Sequence, residues 1–183
     1  MPAFAPSWLG LIILLLAGVL TADAAGPGVA VKSAPTVQTG EGGYLKVGFD
    51  VLAGYQFTTP PPFDAAADPK AAPPAVDGQI PGSIRQLDGR KVLVTGFMLP
   101  IKMEAGLVKE FLLLKNQMMC CYGVAPQLNE WILVRMTGED VKPVMDIPVS
   151  FYGRLKVGAM YESGYMTGLY LLEGEKLAAE PAP

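Results

Sequence analysis

Val149-Ser150-Phe151-Tyr152-Gly153-Arg154-Leu155-Lys156-Val157 is the stretch whose pattern decides the fold. Val149, Phe151, Gly153, Leu155 and Val157 fall on one side of an extended chain. Ser150, Tyr152, Arg154 and Lys156 fall on the other. Successive side chains of an extended backbone point to opposite faces, so a period of two with one apolar and one wet face predicts a half-buried β-strand. Three runs before it read as strands as well: residues 91–101, 108–114 and 129–136. In the first, Gly96 reads as a bulge or bend, and Pro100, which has no N–H to donate, is expected to end the ladder. After it, residues 165–172 form a fifth strand that stops at Glu173-Gly174. Five short strands with glycines at Gly96, Gly153 and Gly168 predict an all-β domain over residues 83–176. The expected form is a small five-stranded OB-like barrel, with a small β-sandwich as the alternative.

Composition narrows the chemistry. The chain has 183 residues, 51% of them apolar, with 21 glycines and 17 prolines, enough for one core rich in turns. Its 14 basic and 17 acidic residues give a formal charge of −3, which lacks the positive excess needed to neutralise phosphates, so nucleic acid is not an expected partner. There is no histidine. That removes Ser-His-Asp and Cys-His catalytic pairs, HExxH sites and mixed Cys/His zinc sites. Two cysteines cannot form a four-thiolate site within one chain. Acid–base chemistry would fall to Asp, Glu, Lys or Tyr, whose pKa values lie far from neutrality. The composition therefore points to a non-enzymatic protein.

Residues 9–20 are an apolar run broken only by Gly10 and Gly18, followed by Ala22-Asp23-Ala24. This reads as a signal peptide over 1–24, cut after Ala24, which makes the protein periplasmic or secreted. A dozen apolar residues fall short of the roughly 20 that span a bilayer as a helix, so no stable membrane span is expected after cleavage. Residues 25–43 read as a flexible leader. Residues 44–58, rich in aromatic and β-branched side chains, read as a strand segment that docks on the barrel, as one strand or as two broken near Gly54. Pro60, Pro61, Pro62, Pro69, Pro73, Pro74 and Pro81 mark 59–82 as an extended linker, and 177–183 reads as a disordered tail. The second and third strands are apolar on both faces. Something should cover their outer side: the segment from Tyr44 to Phe57, or a partner protein.

Both cysteines stand together in Asn116-Gln117-Met118-Met119-Cys120-Cys121-Tyr122-Gly123, between the apolar runs of the second and third strands. Adjacent residues on a trans peptide have Cα atoms about 3.8 Å apart, against roughly 4.4–6.8 Å in ordinary disulfides. A Cys120–Cys121 bond would be strained and easily reduced, which suits a redox switch. Met118, Met119, Cys120 and Cys121, with Met98 and Met103 as further thioethers, also form the soft sulfur set that selects copper(I). In an extended chain Met118 and Cys120 face away from Met119 and Cys121, so only a loop gathers them. The plainer reading is two small residues packed in a core. Tyr122 and Trp131 complete the candidate binding residues. Trp131 can line a ligand face or fill the core. Glu110, Glu130 and Asp146 stand singly beside strands and are expected to be solvated or ion-paired.

Gly96-Phe97-Met98-Leu99-Pro100, Glu110-Phe111-Leu112-Leu113, Met119-Cys120-Cys121-Tyr122-Gly123 with Pro126 and Asn129-Glu130-Trp131, and Tyr152-Gly153-Arg154-Leu155-Lys156-Val157-Gly158 together resemble domain-of-unknown-function family 3299. The similarity spans about residues 80–176, with Phe49-Asp50-Val51-Leu52 in addition. The cysteine pair followed by an aromatic and a glycine resembles the planctomycete-type variant. The resemblance implies an exported bacterial protein of a family without an established activity, some of whose members accompany envelope transporters of the lipoprotein-export or macrolide-export type. Other members show Cys-Ile-His before a run of prolines. Here Tyr122 or Gly123 stands near the histidine position and Pro126 is single, so no Cys-plus-His pair is carried over. The expected function is that of a secreted binding or accessory module with a protein partner in the cell envelope. The alternative is thiol-redox or copper handling through Cys120 and Cys121.

Overall fold

The structure, a computed structural model, describes residues 37–63, 72–118 and 123–178. The signal peptide read over 1–24 and the end of the tail read over 177–183 lie outside the described residues. Five long strands carry the fold: β3 (Lys91–Glu104), β4 (Leu107–Leu114), β5 (Trp131–Met136), β6 (Pro148–Glu162) and β7 (Tyr165–Leu177). Before them come β1 (Gln38–Thr39), β2 (Leu45–Lys46), a single helical turn α1 (Phe49–Leu52), a 3-10 turn at Asp77–Gln79 and a second helical turn α2 (Gly82–Arg85). No helix among the described residues is long and apolar enough to cross a membrane.

Two tight hairpins set the register. Ala105-Gly106 joins β3 to β4 and Ser163-Gly164 joins β6 to β7, and all four residues have positive φ. Two-residue turns of this kind match the right-handed twist of the strands they join. The strands pair in the order β1-β2-β3-β4-β5-β7-β6, and β6 returns to pair with β3. One seven-stranded sheet thus curls into a partial ring, all-β as the sequence predicts. The length of β3 makes the return possible. Lys91 to Phe97 pair with β6, whereas Phe97 to Glu104 pair with β4. The inward set includes Val92, Val94, Phe111, Leu113, Ile132, Val134, Phe151, Leu155, Tyr170 and Leu172, all fully buried.

Four local expectations are corrected. Pro100 does not end the ladder: it pairs with Phe111, and the register shifts just after it. The β3–β6 pairing stops at Phe97, so the missing N–H costs nothing on that open edge. Gly96 is no bulge, because the ladder runs through it unbroken. A Cβ there would lie 2.7 Å from the Leu114 carbonyl oxygen and 3.0 Å from the Phe49 ring, so the glycine serves close packing at the point where β3 passes from β6 to β4. The segment from Tyr44 to Phe57 is not a long strand. After Leu45–Lys46 it makes the α1 turn, because Phe49 and Leu52, three residues apart, both bury into the core. Ser150 on the wet side of β6 is buried, with its hydroxyl 2.7 Å from that of Thr95.

Residues 59–82 also do more than link. Val76 and Ile80 are buried in the core. The Gln79 side chain accepts from the Thr58 N–H at 2.9 Å and donates to the Thr58 carbonyl at 3.1 Å, so one amide ties Gln79 to the residue just before the proline-rich stretch. Its described parts meet the β6–β7 hairpin. The Phe63 N–H donates to the Gly164 carbonyl, and the Tyr161 hydroxyl donates to the Pro74 carbonyl at 2.7 Å.

Candidate functional site

Strand alternation gives β4 and β5 two faces, and only one is buried in the ring. Phe111, Leu113, Ile132 and Val134 point inward, leaving Glu110, Leu112, Leu133 and Arg135 on the outer face. The segment from Tyr44 to Phe57 does not cover them. Phe49 lies against Gly96, and Tyr55 is bonded to Tyr170 and Asn129, so Phe49 to Tyr55 pack against the ring's interior side chains, while Tyr44 packs on Tyr152 of β6 and away from the outer face of β4 and β5. The outer face is the floor of a groove of about 560 Å³. Ile101 forms one wall from the β3–β4 hairpin. Met160, Tyr161, Glu162 and Thr167 form the other from the β6–β7 hairpin. This volume lies within the roughly 300–1,000 Å³ typical of ligand clefts.

The electrostatics of the groove are asymmetric. The Arg135 Nε donates to Glu110 Oε2 at 2.7 Å, so these two charges offset each other. Glu162 is exposed, and no hydrogen bond or ion pair engages its carboxylate among the described residues. The Tyr161 ring is held edge-on by Phe63 at 5.6 Å, and its hydroxyl is engaged by Pro74. The groove therefore offers an aliphatic floor, a neutralised ion pair and one open carboxylate.

The residues singled out from sequence are placed unevenly. Met119, Cys120, Cys121 and Tyr122 lie outside the described residues. Met118 is exposed, and its N–H donates to the Asn116 side chain. Met98 is buried in the core of β3, and Met103 pairs with Val108 at the β3–β4 hairpin end. The cysteine connection leaves β4 at its other end, six residues or roughly 20 Å of strand away. Met103 is thus no neighbour of that connection through the sheet, whereas Met98 pairs with Leu113 beside the end from which the connection leaves, with its side chain buried in the core. Among the described residues no three His, Cys, Asp or Glu side chains converge as a metal site would need. Trp131 shares the outer-face parity of Leu133 and Arg135 but is partly buried against the core beside Gly168 and Met160, next to the groove, and its buried Nε1–H has no hydrogen-bond partner among the described residues.

The two ends of the cysteine connection are firmly fixed. Lys115 N–H donates to the Glu130 carbonyl, and the Lys115 ammonium pairs with Glu130 Oε1 at 2.8 Å. Glu130 also accepts from the Gln127 N–H. The Lys115 hydrogen bond leads the causes that hold the Glu130 carboxyl below the ordinary glutamate value. Asn129 is buried, and its amide donates to the Tyr55 carbonyl at 2.8 Å, which ties this connection to the α1 segment. The Asn-Glu-Trp run thus has a local structural explanation. The groove over β4 and β5 is a candidate site whose lining residues sequence reasoning did not name, although the two-sided apolarity of the second and third strands pointed to that face.

A family model described as "Protein of unknown function (DUF3299)" matches residues 71–179. The fold is similar to the crystal structure of a DUF3299 family protein from Pseudomonas aeruginosa PAO1, with a TM-score of 0.51 and 24% identity, covering 78% of this chain and 99% of that one. No curated protein matches.

Proposed function

We infer, for a chain that belongs to the DUF3299 family, a non-enzymatic binding module that holds its partner in the groove over β4 and β5. One observation carries this reading. Leu112 and Leu133 lie on the outer face of a sheet whose inner face is already filled, and both hairpins rise around them. Apolar surface left uncovered costs roughly 25 cal/mol per Å² relative to burial, so a partner that covers this floor gains that free energy. The absence of histidine and the pairing of Glu110 with Arg135 support a binding role over an acid–base one. The apolar run and small-residue cleavage pattern before Ala25 support an exported, periplasmic or secreted, protein whose partner lies in the cell envelope.

The test is photo-crosslinking in envelope extract. A photo-reactive residue placed at Thr167, in the groove, should form a discrete adduct, and the same probe at Lys176 should not. Loss of the Thr167 adduct in a folded Leu133→Glu background locates the contact. Equal adducts from both positions would refute the groove reading.

A further inference from the structure

We propose that the groove takes an extended peptide in which a basic residue is flanked by aliphatic ones. This rests on the groove reading above and adds the class of ligand to it. The floor and walls supply Ile101, Leu112, Leu133 and Met160, which bury aliphatic side chains without leaving polar groups unpaired. A sugar ring needs an aromatic face to stack on. Among the described residues the one aromatic side chain lining the groove is Tyr161, its ring already met edge-on by Phe63 and its hydroxyl by Pro74. A nucleic acid would meet an open carboxylate where its phosphates need cations.

Charge complementarity selects the remaining partner. The Glu110 carboxylate is offset by the Arg135 guanidinium at 2.7 Å, so the groove's uncompensated charge is the Glu162 carboxylate on the β6–β7 wall. A lysine or arginine of the ligand pairs there while its neighbours lie over Leu112 and Leu133. Alternating side chains of an extended peptide suit a floor built on the outer face of a sheet, because the same period of two governs both. Charged groups at such a rim act mainly on specificity and association rate, and the apolar floor supplies affinity.

The experiment pans a random linear peptide library on the intact mature chain, then measures the enriched peptides by fluorescence anisotropy. Peptides with Lys or Arg between aliphatic residues should be enriched. Glu162→Lys should weaken their binding at least tenfold, and exchanging the peptide's basic residue for Glu should restore it on that variant. Leu133→Glu should abolish binding, with circular dichroism verifying that the variant is folded. Enrichment of acidic peptides, or binding indifferent to both substitutions, would overturn the proposal. A Thr167 adduct identified as glycan or lipid would also overturn it while leaving the groove reading intact, whereas failure of the Thr167 probe itself would remove both.

Discussion

The Tyr170 hydroxyl, on a strand of the ring, donates to the Leu52 carbonyl at 2.8 Å across 118 residues of sequence. Since that proton is committed, the Tyr55 hydroxyl at 3.0 Å must donate to Tyr170 in turn. The chain Tyr55 to Tyr170 to Leu52 joins the α1 turn to the centre of the core, where Tyr170 is fully buried. Replacing Tyr170 by Phe leaves the buried Leu52 carbonyl without its donor. A loss of about 1–3 kcal/mol is expected, the usual cost of an orphaned buried acceptor. Urea unfolding of Tyr170→Phe against wild type measures it, and a change within error would show that the link carries no stability.

The same residue predicts an alkaline limit. Burial first, and the Tyr55 hydroxyl second, raise the Tyr170 pKa above its ordinary 10.0. The folded chain therefore keeps a proton that the unfolded chain gives up. This contribution is complete below about pH 10 and is lost as pH rises toward the folded value, at up to about 1.4 kcal/mol per pH unit for one such group. Stability measured from pH 9 to 11 should fall, and Tyr170→Phe should fall less steeply. Parallel slopes for the two proteins would exclude Tyr170 as the source.

Gly96 should tolerate no side chain. A Cβ there meets the Leu114 carbonyl oxygen at 2.7 Å, Leu113 Cγ at 2.9 Å and the Phe49 ring at 3.0 Å. Backbone cannot give way as a flexible side chain can, so Gly96→Ala is expected to destabilise by about 1–3 kcal/mol. Because one of the three neighbours is Phe49, the α1 segment should also loosen. Limited proteolysis should then cut near residues 44–57 faster than in wild type, and unchanged cleavage would place the strain elsewhere.

Gln79→Ala should separate local from global order. It removes both hydrogen bonds to Thr58, which are exposed, so global stability should fall by no more than about 1 kcal/mol. Amide exchange near residues 58–63 should nonetheless quicken. A large global loss with unchanged local exchange would contradict the tie assigned to this side chain.

Acid should release the base of the cysteine connection. The Lys115 hydrogen bond leads the causes that hold Glu130 below the ordinary glutamate value, so the stability it contributes is present above that value and is lost as pH falls through the lowered one. Glu130→Gln should therefore show a smaller drop in Tm between pH 5 and pH 3 than wild type. If both drop equally, the carboxylate is not the acid-sensitive group. Thiol titration of Cys120 and Cys121 with metal analysis of the same sample bears on the competing redox reading. The binding module predicts two slowly reacting thiols and no copper, and a reversible ring or stoichiometric metal would favour the rival.

The sequence by itself determined the strands. The alternation from Val149 to Val157 and the apolar runs of β3, β4 and β5 are local patterns, and local backbone sterics convert them directly into extended chain. The sequence also left a clue to the groove in the apolar outer faces of β4 and β5. What only the tertiary structure decided was which long-range neighbour each residue met. Phe49-Asp50-Val51-Leu52 has strand-like composition, yet it turns helically because Phe49 finds Gly96 and the Leu52 carbonyl finds Tyr170. Gln79 and Thr58, or Met160 and Leu133, come together only once the ring has formed and β6 has returned to β3. Such contacts depend on the closure of long loops, and no window of neighbouring residues encodes where a distant strand will lie.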